Sequence, residues 1–192
     1  ATWRDQTHKK GNEYWWYVCV APADRRYANL FIEQPASQHR ILFWQTWSHD
    51  VDGLLYWGMN FWSWYEYKWP EGTKGPTMRL PAKDAPNFVS VPEAPGDGCS
   101  MYPGPTPSQP LSSIRLEVMR DGEEDYEYFK MLDRLIQTAD DAHKSSPELE
   151  AAKKLRDHAK QMVESLTDYD KNPEPYLALR NQIGDAIEAL AK

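Results

Sequence analysis

The chain has 192 residues, 41% hydrophobic and 27% charged, the composition of a globular domain with a core of its own. No apolar run approaches the roughly 20 residues that span a bilayer, so no membrane partner is expected. A net charge of −7 excludes the basic footprint of a nucleic-acid binder. The acidity is uneven, with 18 acids against 12 bases in residues 112–192 and 11 against 10 in residues 1–111. The excess therefore belongs to the C-terminal part, where it is expected to solvate exposed faces.

The N-terminal residues lack the apolar centre of a signal peptide. Residues 13–21 (E-Y-W-W-Y-V-C-V-A) are aromatic and β-branched, with Gly11 before and Pro22 after, and read as a buried strand. Residues 22–29 form a polar loop. A helix is expected over 36–49, with Pro35 before it and an apolar stripe of Ile41, Phe43, Trp44 and Trp47. Asp52-Gly53 marks a turn, and residues 54–62 (L-L-Y-W-G-M-N-F-W) read as a second buried strand. Strand, helix, strand in that order predicts a right-handed parallel unit and an α/β fold. Residues 63–111 form a long loop, rich in proline and glycine but carrying Trp64, Tyr65, Tyr67, Trp69 and Tyr102. A loop of that length is either functional or disordered, and its aromatics argue against disorder.

Helix then dominates. Ser112 or Ser113 is the expected N-cap, Gly122 a possible bend, and Tyr126, Phe129, Leu132, Leu135, Ile136 and Ala139 an apolar face. A next helix carries Leu149, Ala152, Leu155, Ala159, Met162, Val163 and Leu166. In a last one Pro175 sits in the first turn, ahead of Tyr176, Leu179, Ile183, Ile187 and Leu190. Cys19 and Cys99 are expected as free thiols, since two cysteines make neither a disulfide framework nor a zinc site.

Alternation along a strand sorts the candidate site residues. In the first strand Trp15, Tyr17 and Cys19 share a face opposite Trp16, Val18 and Val20. In the second, Tyr56, Gly58, Asn60 and Trp62 share a face opposite the wholly apolar Leu55, Trp57, Met59 and Phe61. The apolar set is expected against covering helices and the set with Tyr, Gly and Asn toward a barrel axis. Barrel sites lie at the C-terminal ends of strands, which singles out Asn60 and Trp62, then Tyr17 and Cys19. Indole faces cover the apolar face of a pyranose, while amides and phenols bind its hydroxyls. The plainer alternative for all these aromatics is core, and it is the expected place of Trp16, Trp44 and Trp57.

A glycosidase needs a general acid. The Glu123-Glu124-Asp125 and Asp140-Asp141 clusters fall on expected helices and read as solvated faces. Glu117, in the first turns after the long loop, serves either the site or a structural role, a salt bridge with Arg115 or a helix-end interaction. His8, His39, His49, His143 and His158 read as surface or structural. No phosphate loop, serine elbow, metal ligand spacing or cofactor motif is present.

Three blocks, residues 11–22 (G-N-E-Y-W-W-Y-V-C-V-A-P), 52–62 (D-G-L-L-Y-W-G-M-N-F-W) and 112–129 (S-S-I-R-L-E-V-M-R-D-G-E-E-D-Y-E-Y-F), together with Tyr102-Pro103-Gly104, resemble the C-terminal half of the glycoside hydrolase family 123 catalytic domain. The resemblance covers roughly residues 11–135 and implies the C-terminal part of a (β/α)8 TIM barrel, its seventh and eighth strands being those above. It implies retaining hydrolysis of β-linked N-acetylgalactosamine, in which the substrate's own 2-acetamido group attacks the anomeric carbon. An Asp-Glu pair on an earlier strand orients that group and supplies the general acid/base, and no residue here matches it. Position 123 is Glu where that family tends to be apolar.

A complete barrel takes about 250 residues. Residues 1–140 are thus expected to be a barrel part and 141–192 a helical extension, with the rest of the barrel supplied by another segment or chain. Tyr17, Cys19, Tyr56, Asn60, Trp62, Tyr102, Arg115 and Glu117 are the expected substrate-binding residues, a glycan the expected ligand, and an extracellular or periplasmic setting the one the resemblance favours. The rival readings are a catalytically silent carbohydrate-binding or structural barrel remnant, and a hydrolase of another sugar.

Overall fold

A computed structural model describes residues 2–22, 24–61, 94–102 and 109–192. The elements run α1 (Trp3–Lys9), β1 (Trp15–Val18), α2 (Ala36–Ser48), β2 (Gly53–Tyr56), α3 (Ile114–Asp141), α4 (Pro147–Met162) and α5 (Pro173–Leu190). The first of these is an addition to the elements expected from the sequence. Its Thr2 and Asp5 close a capping box, and Arg4 ties it to the His49 carbonyl at 2.7 Å.

β1 and β2 pair in parallel, with Trp15 opposite Gly53, Trp16 opposite Leu54, Tyr17 opposite Leu55 and Val18 opposite Tyr56. Both strands are shorter than expected, because their following backbone groups pair elsewhere. The Cys19 amide donates to the Ala21 carbonyl at 3.2 Å, the Phe61 amide to the Gly98 carbonyl at 2.8 Å, and the Met101 amide to the Met59 carbonyl at 2.8 Å. The chain after Tyr56 is thus zipped to the 98–101 segment rather than to β1.

Between the sheet and the other helices lies α2, buried on most of its circumference rather than along one stripe. Several of its inward polar groups are tied to other segments or to the helix backbone. Gln38 reaches the Tyr169 hydroxyl at 2.8 Å, Gln45 the Ser165 carbonyl at 3.3 Å, and Thr46 the Leu42 carbonyl at 2.7 Å. One side of α2 joins Val18, Leu30 and Met119 in a small core beneath the sheet. The other joins α3, α4 and α5 in a larger one, where Trp44 meets Phe129 and Tyr176 edge-on and Trp47 stacks on Phe129.

Ser113 caps α3 through the Leu116 amide, and the helix runs unbroken through Gly122. Gly122 is a packing point, since a β-carbon there would collide with the Phe43 ring of α2. Asp125 departs from the expectation of a solvated acidic face, being 0% exposed. Arg40 binds both its oxygens at 2.5 and 2.8 Å, Trp44 donates its indole N–H at 2.8 Å, and Arg180 of α5 adds a bond at 2.7 Å. Glu123 and Glu124 on the same turn are exposed. α5 starts at Pro173 behind an Asn172 cap, which puts Pro175 in its first turn as expected.

Candidate functional site

The C-terminal ends of β1 and β2 meet a turn at residues 94–99 that α3 holds from below. Arg115, buried on the first turn of α3, donates to the carbonyls of Leu30 at 2.7 Å, Gly96 at 2.8 Å and Cys99. One planar guanidinium thereby fastens two loops, a task suited to its fixed fork of donors. The Ile32 amide joins the same two loops through the Pro95 carbonyl at 2.9 Å.

The faces of the second strand are the reverse of those expected. Leu54 and Tyr56 pack with Trp16 and Val18 on the α2 side, where the Trp16 indole N–H reaches Thr46 Oγ1 at 3.0 Å. Leu55 is 49% exposed, and with Trp15 and Tyr17 it forms the opposite, uncovered face. Parallel partners point the same way, so packing Val18 onto α2 takes Tyr56 with it. The Tyr56 hydroxyl is no misfit there, because it donates to Asp97 at 3.2 Å and accepts from the Gly98 amide at 2.6 Å. Burial pushes that phenol well above its ordinary pKa.

One step beyond the last paired residues lie Cys19 and Trp57. Trp57, expected in the core, is 41% exposed. Its indole N–H donates to Asp97 at 3.1 Å, and its ring meets Phe61 edge-on at 4.8 Å between centroids. Gly98 lies flush beneath it at φ +72°, and a β-carbon there would come within 2.5 Å of the ring. Asp97 is buried. Burial raises its carboxyl pKa, against the opposing pull of the Trp57, Tyr56 and Val20 donors. Such a covered carboxylate holds its neighbours in place.

The other candidates scatter. Tyr17 is 65% exposed on the open face, and Cys19 is half-buried beside it as a free thiol. Asn60 is exposed, but β2 has ended by then and alternation no longer sets its direction. Trp62 lies outside the described residues. Tyr102 is half-buried and exchanges two backbone bonds of 2.8 Å with Leu111. Tyr56 and Arg115 come together around the 94–99 turn as its scaffold. Glu117 does not pair with Arg115, because residues two apart on a helix point to different sides. It binds Arg120 at 2.7 Å and the Ser112 hydroxyl at 2.5 Å. Asp97 and Trp57 are what the sequence reading missed, and the Gly-Asp-Gly run at 96–98 was the available signal of a tight turn.

A separate open groove of about 610 Å³ lies between Gly53 and Leu54 of β2, Phe43 of α2, and Glu124, Tyr126 and Tyr128 of α3. Among the described residues no three His, Cys, Asp or Glu side chains gather closely enough to hold a metal ion, and no helix is long and apolar enough to cross a membrane. The model of one family, described as "Glycoside hydrolase 123, catalytic domain", matches residues 2–132. No curated protein matches the chain.

Proposed function

From the premise that this chain belongs to the glycoside hydrolase 123 catalytic-domain family, a family of glycosidases, we propose that it forms part of the sugar pocket of a β-N-acetylgalactosaminidase. The match over residues 2–132 carries the reading. In the intact enzyme the substrate's 2-acetamido oxygen attacks the anomeric carbon, and a glutamic acid protonates the departing oxygen. Water then opens the cyclic intermediate, so configuration is retained. The Asp-Glu pair that directs these steps is expected on an earlier strand, since the matching blocks here contain none. Among the described residues, the acid at the strand ends is the covered Asp97.

The architecture proposed is the last two strands of a (β/α)8 barrel, residues 1–140, with residues 141–192 as its helical extension. Three features support it. The strands are parallel, helices cover one face alone among the described residues, and the other face carries exposed Trp15, Tyr17 and Leu55. Tyr17, Cys19, Asn60, Trp62 and Tyr102 remain the proposed lining of the pocket.

Hydrolysis of an aryl β-N-acetylgalactosaminide, followed by proton NMR, tests the proposal. The intact enzyme is expected to release the β-anomer first, and the 192-residue chain alone to be inactive for want of a general acid. First release of the α-anomer, or turnover by the chain alone with contaminants excluded, would overturn it.

A further inference from the structure

Trp57 has an unusual set of supports for a residue so open to solvent. Its N–H is committed to the buried Asp97 at 3.1 Å, its edge rests on Gly98, and Phe61 braces it at an interplanar angle of 62°. Asp97 is itself fixed by the Tyr56 hydroxyl, which the Gly98 amide also engages. Behind that turn stands Arg115, bonded to the carbonyls of Gly96 and Cys99 on either side. A ring held at its nitrogen and its edge has lost the freedom to swing, so little ordering entropy remains to oppose binding. Because the N–H is already used, what the ring offers a ligand is its π face and not a hydrogen bond.

Its position narrows the ligand. Trp57 follows the last residue of β2, level with Cys19 after β1, at the end of a parallel sheet where α/β folds place their ligands. A flat, rigid, electron-rich face suits the C–H-lined side of a pyranose, whose axial hydrogens carry partial positive charge.

We propose that Trp57 is a sugar-stacking platform of this enzyme, that Asp97 and Gly98 are the residues positioning it, and that the ligand is a hexosamine pyranose lying on the open indole face. The inference rests on the glycosidase reading above and adds to it the residue that carries the stacking. Arg115 acts one layer further back, through the turn.

The test is calorimetric titration of the intact enzyme with methyl β-N-acetylgalactosaminide, alongside thermal unfolding of each variant. Trp57→Ala is expected to raise Kd at least about tenfold, and Trp57→Phe about threefold, because phenyl keeps a smaller face. Asp97→Asn retains an oxygen that accepts from the indole and is expected to hold Kd within about twofold, whereas Asp97→Leu matches Trp57→Ala. That rescue separates positioning from general stability, which both Asp97 variants perturb. If the wild type binds and Trp57→Ala binds equally well, or loses only melting temperature, the platform is overturned while the glycosidase reading stands. If the wild type neither binds nor hydrolyses the sugar, the underlying reading falls and takes the platform with it. Should Trp57→Ala fail to fold, an unchanged Kd in Trp57→Phe overturns the proposal.

Discussion

Acidification should loosen the scaffold under the site through His39. This histidine is buried on α2, with Nε2 at 3.0 Å from the Phe31 carbonyl, next to the Leu30 carbonyl that Arg115 holds. Burial lowers its pKa from 6.5 to about 4, the Phe31 hydrogen bond opposes that shift, and the nearby Arg115 charge adds to it. Native His39 therefore stays neutral between pH 6.5 and 4, where its unfolded counterpart takes up a proton. The stability it confers is complete above pH 6.5 and is lost as pH falls through that window. At about 1.4 kcal/mol per pKa unit, a shift from 6.5 to about 4 corresponds to a loss of about 3 kcal/mol. That is a large part of the roughly 5–15 kcal/mol by which domains are stable. Urea unfolding of the wild type and His39→Gln at pH 7.5, 6, 5 and 4.5 measures it. Glutamine can donate to the Phe31 carbonyl but does not titrate, so subtracting the two profiles removes the carboxylates common to both. The expected difference is a wild-type decline steeper by up to about 1.4 kcal/mol per pH unit across the window. Equal slopes would refute the reasoning.

Two stability predictions concern the helix contacts. Asp125→Ala leaves Arg40, Arg180 and the Trp44 N–H without their shared carboxylate, and should cost about 3–5 kcal/mol in chemical denaturation. A loss below about 1 kcal/mol would mean that the arginines find water instead. Gly122→Ala drives a methyl group into Phe43 and should cost about 1–3 kcal/mol, although alanine is the better helix former. A melting temperature raised by that substitution would show that α2 and α3 can part without penalty.

Local patterns determined much of this molecule. The aromatic and β-branched runs after Gly11 and after Asp52 are strands, Pro35 precedes a helix, and Ser113, Ser146 and Asn172 begin helices by side-chain bonds to amides two or three residues on. The family, too, was readable, because it is carried by short blocks whose order survives without any tertiary knowledge. Even Asp125 had a signal, for it lies on the line of Gly122, Phe129, Leu132 and Ile136 along α3, whereas its neighbours Glu123 and Glu124 do not.

What only the tertiary structure decided was which side of each element is inside. Alternation divides β2 into two sets but is blind to which of them meets a helix, and aromatic residues occur in both. Val18 settled it by packing under α2 and carrying its partner Tyr56 along, and the distant Asp97 gave that phenol a buried acceptor. The same turn then fastened the outward Trp57. The burial of Arg115 was decided in a like way, since the loop carbonyls that claim it lie up to 85 residues away in the chain. Periodicity is local, whereas the partner that makes a polar group cheap to bury is contributed by another part of the chain, and it is that partner which chooses the face.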